Sequence, residues 1–414
     1  MSATPNLSRH SEPGPHEPGV LRTALALALA AAVSLGLARF AYALLLPPMR
    51  ADLGWTYVLS GAMNTVNAAG YLAGALMMPR WLARFDGRHV VVAGGLGAAL
   101  CLMLHGLTRD DAWLGLWRFG AGVASAASFA GGGVLAAQLA QRPDGVHRSG
   151  LILGIYYGGV GLGIVLSALC LPLLLQHEGL QDWRAAAVPG AAAWQFAWWA
   201  LAALSLLATV AMARGSAHVR CPPVPAGERL GFRWRELGWG LAGYTLFGLG
   251  YIGYMTFVIS LLREQGYSPQ HVSGFYAVLG LGVMASSFLW AGLLQRHRGG
   301  LPMAVLNGLL GVATALLVWA QSYPVALLSG ALFGAVFVSV VASTTAMVRH
   351  NLPKAAWPAG IAAFTIVFAA GQIVGPLLVG FVADAAGGGL APGFWVSAAL
   401  LALGSVVAAR QRGL

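Results

Sequence analysis

The chain has 414 residues, of which 58% are hydrophobic and only 9% charged, and its mean hydropathy is +0.72. A soluble domain carries roughly a quarter charged residues, so this composition excludes a protein with water on all sides. The net charge of +11 does not point to nucleic acid, because the 24 basic residues, 23 of them Arg, sit in short clusters between apolar runs.

In chain order, residues 1–20, with Ser2, Pro5, Pro13, Pro15 and Pro18, read as a disordered polar tail without a signal-peptide pattern. Twelve apolar runs follow, each able to supply the about 20 residues of a bilayer crossing. The first six are 22–48, 57–80, 89–108, 112–140, 149–175 and 191–213. The last six are 236–262, 271–294, 301–321, 324–347, 357–384 and 390–409. Between them lies a stretch with Pro222, Pro223, Pro225 and five Arg. The chain therefore divides into a tail (1–20), a six-helix bundle (21–213), a central loop (214–235) and a second six-helix bundle (236–414).

Charge orients the runs. With both termini in the cytoplasm, the inner segments hold eighteen basic residues, among them Arg9, Arg80, Arg148, Arg220, Arg229, Arg298 and Lys354. The outer segments hold four, Arg50, Arg109, Arg184 and Arg263, the asymmetry expected when positive loops stay inside. Cys101 and Cys170 fall in apolar runs and Cys221 in the central loop, so three free thiols are expected rather than a disulfide framework.

The two halves echo each other. Gly36-Leu37-Ala38-Arg39-Phe40-Ala41-Tyr42 lines up without gaps on Gly248-Leu249-Gly250-Tyr251-Ile252-Gly253-Tyr254, and the same register brings Gly54-Trp55-Thr56 onto Gly266-Tyr267-Ser268 and Gly87 onto Gly299. A parallel repeat of two six-helix halves is a transporter architecture that places the substrate site at mid-depth between them. Gly70 with Gly74, Gly150 with Gly154 and Gly158, and Gly371 with Gly375 recur every fourth position. Such spacing lets helices approach closely in lipid, for static packing or for rocking.

Ionisable groups at membrane depth are functional candidates, because an unpaired charge there is costly. Arg39 lies about nine residues, or ~13 Å, from the outer end of its run, close to the middle of a core about 30 Å thick. Arg118 lies about six residues in, where snorkelling or carbonyl bonding competes with a binding role. None of the 13 acids falls near the middle of a run. Two guanidinium groups without acid partners suit a carboxylate or phosphate, which Arg grips with two hydrogen bonds. Ser60, Asn64, Asn67 and Tyr71 share one helical face, and Tyr42, Tyr251 and Gln372 complete the candidate substrate-binding set. Tyr42, Tyr251 and Gln372, like Tyr156, Tyr157 and Tyr254, are weaker candidates, each better read as a packed ring or a helix–helix bond, and Trp194, Trp198 and Trp199 read as interfacial anchors.

The stretch from Leu114 to Ala126, with Arg118 four residues before Gly122 and a small-residue run after it, resembles the fourth-helix motif of the major facilitator superfamily. The run Arg39-Phe40-Ala41-Tyr42-Ala43-Leu44-Leu45-Leu46-Pro47-Pro48-Met49, with Asn64, Asn67 and Tyr71, and the later Gly371-Gln372-Ile373-Val374-Gly375-Pro376, resemble its YbfB/YjiJ-like branch. This resemblance implies an all-α membrane protein of twelve transmembrane helices in two pseudo-symmetric six-helix bundles. It also implies a conformational role for the loop after the second helix, here Arg84, Asp86, Gly87 and Arg88. Arg84 stands where the family usually has Asp, so Asp86 is the available substitute.

The expected function is a secondary transporter of a small organic anion, working by alternating access in a bacterial inner membrane, as a monomer. Its partners are then a small-molecule substrate and the lipid bilayer, with proton coupling left open and no nucleic acid, cofactor or metal. Efflux of neutral or amphipathic compounds is the rival within transport, and a transporter-like sensor without net flux the rival outside it. No nucleotide-binding loop, metal cluster or nucleophile–base pair supports catalysis.

Overall fold

The computed structural model describes residues 19–176, 187–219, 221 and 231–414. The tail up to residue 18, Arg9, Arg184, Arg220, Arg229 and the proline-rich part of the central loop lie outside these. The described residues form helices and turns, in the order expected. The first six spans are α1 (Val20–Leu53), α2 (Tyr57–Arg84), α3 (Gly87–His105), α4 (Asp111–Gln141), α5 (Ser149–Gln176) and α6 (Ala193–Gly215). The second six are α7 (Gly238–Glu264), α8 (Pro269–Arg296), α9 (Leu301–Trp319), α10 (Tyr323–Asn351), α11 (Trp357–Ala385) and α12 (Ala391–Ala409).

Eleven of these helices are long and apolar enough to cross a membrane. The twelfth, α2, has 28 residues and falls short only in hydropathy, because it carries the Asn64, Asn67 and Tyr71 stripe. Asn64 and Asn67 are buried against protein and Tyr71 is half-buried, so the deficit marks a helix whose polar face turns to the interior of the bundle.

The repeat read from the sequence is built into the backbone. Gly54 and Gly266 end α1 and α7 in the left-handed region, at φ 68° and 83°, which a residue without Cβ adopts freely. Two residues on, the Thr56 and Ser268 hydroxyls cap the next helix by accepting from the Leu59 and His271 backbone N–H groups. The correspondence extends to helix contacts. A Cβ on Gly70 would stand 2.1 Å from the Phe119 carbonyl oxygen, and one on Gly282 would stand 2.7 Å from that of Ala331. Gly122 meets the Asn67 carbonyl oxygen at 2.2 Å as Gly334 meets that of Leu279 at 2.1 Å. These four contacts pack α2 on α4 and α8 on α10 in the same register, the one in which Arg39 corresponds to Tyr251.

One end of the bundle carries the α1–α2 turn and is called distal; the other carries both termini. Every hydrogen bond between α1–α6 and α7–α12 among the described residues lies between mid-depth and the distal end. The Asp384 carboxylate at the distal end of α11 accepts from the first backbone N–H groups of α2, Tyr57 at 3.0 Å and Val58 at 2.8 Å. Glu264, ending α7, accepts from the Tyr57 hydroxyl and from the Leu390 N–H. The Arg50 guanidinium lies 3.7 Å from the centre of the Tyr57 ring. Anions at a helix N-terminus are stabilised by its unpaired N–H groups and its dipole, so these acids seal the distal end. On the terminal side α5 and α8 stay in contact, with Gly154 against the Phe288 ring.

One expectation is corrected. Trp194 and Trp198 are 1% and 0% exposed, so they are core residues and not lipid-facing anchors. The Trp194 indole donates to Asp52 at 2.8 Å, and Trp198 stacks on His105 with ring centres 4.6 Å apart. The Trp198 indole N–H reaches the Met49 sulfur at 3.4 Å, so both indoles find their partners on α1.

Two measurements test this packing. Gly122→Ala and Gly334→Ala each lower the Tm of the detergent-purified protein, since overpacking costs about 1–3 kcal/mol. Gly115→Ala, with nothing within 4 Å of its Cβ position, leaves Tm unchanged. Asp384→Ala removes a helix cap worth about 1 kcal/mol, so the distally open population rises roughly five-fold. Spin labels on exposed Ala51 and Ala386, in a cysteine-free background, read this as growth of a longer distance.

Candidate functional site

Mid-depth in α1, residues Ala32–Phe40 form a π-helical segment, closed by the Ala41 N–H donating to the Gly36 carbonyl at 3.0 Å. The widened turn lies where α1 packs closely on α5: a Cβ on Gly36 would stand 2.5 Å from the Cα of Gly163. Such bulges are frequent at functional sites, and this one ends on Arg39. No pattern of residue types announced it; Gly36 among small neighbours was the nearest signal.

Arg39 is 3% exposed and points into the interface between the halves. Its Nη2 donates to the Gln372 side-chain carbonyl of α11 at 2.8 Å. The Gln372 amide in turn donates to the Tyr251 hydroxyl of α7. Arg39 and Tyr251 are the repeat-related pair, so one neutral amide joins the two counterparts. The guanidinium also lies 5.4 Å from the Tyr71 ring centre and 5.9 Å from that of Phe40. Among the described residues Gln372 is its one hydrogen-bond partner, and its Nε is buried without any. A guanidinium offers five N–H donors, so most of this group's capacity is unspent.

Arg118, 1% exposed, is different. Its Nε donates to the Met63 carbonyl, Nη1 to the Ala38 carbonyl and Nη2 to the Asn64 side-chain carbonyl, at 3.3, 3.3 and 3.2 Å. Its face lies 4.4 Å from the centre of the Tyr42 ring, and Tyr42 donates to the Ser60 carbonyl at 3.0 Å. Asn64 passes the chain on to the Thr256 hydroxyl of α7 at 2.6 Å, and Asn67 donates to the Arg118 carbonyl at 2.9 Å. All three guanidinium nitrogens are therefore engaged, and the polar stripe of α2 serves mainly to bind helices together. The Asn67 side-chain oxygen alone is buried without a donor.

The structure thus gathers the eight candidates into two groups, Arg39 with Gln372, Tyr251 and Tyr71, and Arg118 with Tyr42, Asn64 and Asn67. Thr256, which links Asn64 to α7, was missed, because a lone mid-helix Thr gives no sequence signal. The acids Asp384 and Glu264 were passed over because carboxylates at helix ends ordinarily face water. Of the weaker candidates, Tyr254 bonds Ser329 at 2.9 Å and stacks on Phe333, and Tyr156 bonds the Phe129 carbonyl; both are packed. Tyr157 is 37% exposed, and neither its hydroxyl nor that of Tyr71 makes a hydrogen bond among the described residues.

Two surface grooves hold none of the eight residues. One of about 530 Å³ lies between α2 and α4, lined by Leu59, Val66, Leu116 and Phe119. The other, of about 360 Å³, lies distally beside Pro47, Pro172 and Arg263.

The loop after α2 sits at the terminal end. Asp86 caps α3 by accepting from the Arg88 N–H at 2.8 Å, Gly87 donates its N–H to the Cys221 carbonyl at 2.9 Å, and Arg88 reaches the Ala213 carbonyl at 2.9 Å. Arg84 makes no hydrogen bond or ion pair among the described residues. Asp86 therefore joins its own loop to α3 and does not reach α7–α12 in this state. Cys221 lies against Gly87, accepts from Gln138, and burial pushes its thiol pKa up.

In fold the chain is similar to a bacterial homologue of the human lysosomal transporter Spinster, solved inward-facing and unoccupied. The TM-score is 0.71 at 16% identity, over 95% of this chain and 96% of that one. The occupied inward-facing form of the same homologue gives 0.64 at 15% identity, over 94% of both chains. A mutant of the nucleoside transporter NupG gives 0.66 at 14% identity, over 94% of this chain and 98% of the other. No curated protein sequence matches the chain. Residues 31–409 match the family model described as "Uncharacterised MFS-type transporter YbfB", and the chain belongs to this family of major facilitator transporters.

Proposed function

We propose that this transporter carries a small organic anion, bound at mid-depth by Arg39, between two six-helix domains (21–213 and 236–414) that rock about it. The observation that carries the reading is the unspent guanidinium. A cation buried with one neutral hydrogen-bond partner is costly, and it gains most from an anion that supplies the missing acceptors. No carboxylate among the described residues occupies that role. Arg118 adds long-range attraction, since it lies within electrostatic range of Arg39, while its own donors stay engaged.

With the Arg-rich terminal end in the cytoplasm of a bacterial inner membrane, the sealed distal end faces outward and the arrangement is inward-open. Arg349 at the terminal end of α10, exposed and within electrostatic range of Tyr157, then stands at the cytoplasmic mouth. Breaking the Asp384 and Glu264 contacts while closing the terminal side gives the opposite state, so the two acids act as an outer latch. The absence of a carboxylate at mid-depth weighs against cationic cargo.

Uptake into proteoliposomes separates the two arginines. Arg39→Ala and Arg39→Lys abolish saturable anion uptake and leave Tm within about 2 °C of the parent. Arg118→Lys lowers Tm by several degrees, because it strips donors from three oxygens at a cost of about 1–3 kcal/mol. Anion uptake that survives Arg39→Ala would remove the reading.

A further inference from the structure

We infer that an anionic phospholipid headgroup binds at the terminal end of the second bundle, where α7 begins and α12 ends. The inference does not depend on Arg39. It rests on two independent observations, an uncompensated group of arginines and exposed aromatic rings interleaved with it.

Hydrogen bonds hold the two segments side by side. The Gln411 side chain donates to the Glu236 carbonyl at 2.9 Å and accepts from the Gly240 N–H at 3.1 Å, so the end of α12 is tied across the start of α7. Arg410 and Arg412 flank Gln411 in sequence, and Arg233 and Arg235 precede Glu236. All four are exposed. Exposed Arg298 of the α8–α9 turn joins them, its Cβ 3.1 Å from where a Cβ on Gly413 would stand. None of the five makes an ion pair among the described residues, and Glu236 is the one acid among the described residues at this end of the second bundle. Clustered arginines at the cytoplasmic edge of a span attract anionic lipid, each worth roughly five-fold in affinity.

The rings decide between a lipid and a soluble anion. Trp234 and Trp239 are 51% and 48% exposed. The half-buried Phe232 ring lies nearly parallel to that of Trp234, with centres 6.3 Å apart. Trp239 is the second residue of the spanning helix α7, so its ring stands at the rim of the hydrocarbon. There the apolar body of an indole meets acyl chain while its N–H stays among the headgroups. The Arg410 guanidinium lies 5.2 Å from the centre of this ring, which holds a charge at the same depth. A soluble anion would use the arginines and gain nothing from the rings.

The test is native mass spectrometry of the detergent-purified full chain titrated with dioleoyl phosphatidylglycerol or dioleoyl phosphatidylcholine. The parent is expected to retain phosphatidylglycerol more tightly than zwitterionic phosphatidylcholine, and glycerol phosphate in excess does not displace it. Arg233→Gln/Arg410→Gln weakens phosphatidylglycerol binding roughly twenty-fold, whereas Arg233→Lys/Arg410→Lys retains it. Arg148→Gln/Arg214→Gln, at exposed arginines of the first bundle with no aromatic ring against them among the described residues, leaves it unchanged. Equal retention of the two lipids, displacement by glycerol phosphate, or a Gln pair that binds as the parent does overturns the inference. So does a Lys pair that fails along with the Gln pair, or an equal loss from Arg148→Gln/Arg214→Gln.

Discussion

A guanidinium at mid-depth in a membrane protein must find oxygen atoms within the protein, since water and headgroups are out of reach. This chain meets that requirement twice and in opposite ways. Arg118 is surrounded by carbonyl oxygens of α1 and α2 and extends through Asn64 to Thr256 of α7. Arg39 reaches across to Gln372 and through it to Tyr251. These two hydrogen-bonded chains cross the seam between the halves, one saturated and one open, beside direct bonds from Tyr276 to the Phe40 carbonyl and from Thr65 to the Ile373 carbonyl. The saturated chain fixes the relative position of α1, α2 and α4, and the open one leaves donors of the buried Arg39 unused.

Much of the fold was legible because its causes are local. Apolar runs gave the spans, and Gly54 and Gly266 marked equivalent turns because both sites need a left-handed residue. The family motif at Arg118 and Gly122 identified a helix that must pack closely against α2. What escaped was decided by partners far away in sequence. Trp194 and Trp198 looked amphipathic, yet both are covered by neighbours, their N–H groups bonded to Asp52 and Met49 of α1 and Trp198 stacked on His105. The π-helical segment of α1 lies against Gly163 of α5, a contact that no window of α1 reveals. The sequence set Arg39 deeper and left carbonyl bonding open for Arg118, but which oxygens each one meets depends on what other helices present.

The repeat explains why the site is asymmetric without a break in the scaffold. Glycine–carbonyl contacts at Gly70, Gly122, Gly282 and Gly334 are the same in both halves, so the helices occupy equivalent places. At the centre the equivalent positions carry Arg39 and Tyr251, and Gln372 bonds to both. An amide suits this place because it accepts from one neighbour and donates to the other. A carboxylate there would neutralise the arginine and fill the site from within.

Gln372 holds Arg39, and carbonyl and amide oxygens hold Arg118, without cancelling either charge, so the vacant carrier keeps two positive charges at the centre of the membrane. A singly charged anion on Arg39, as proposed, leaves one. The loaded and vacant forms then differ by one full charge inside the pathway, and a full charge crossing 100 mV is worth about 2.3 kcal/mol. On that reading the resting voltage acts unequally on the two reorientation steps.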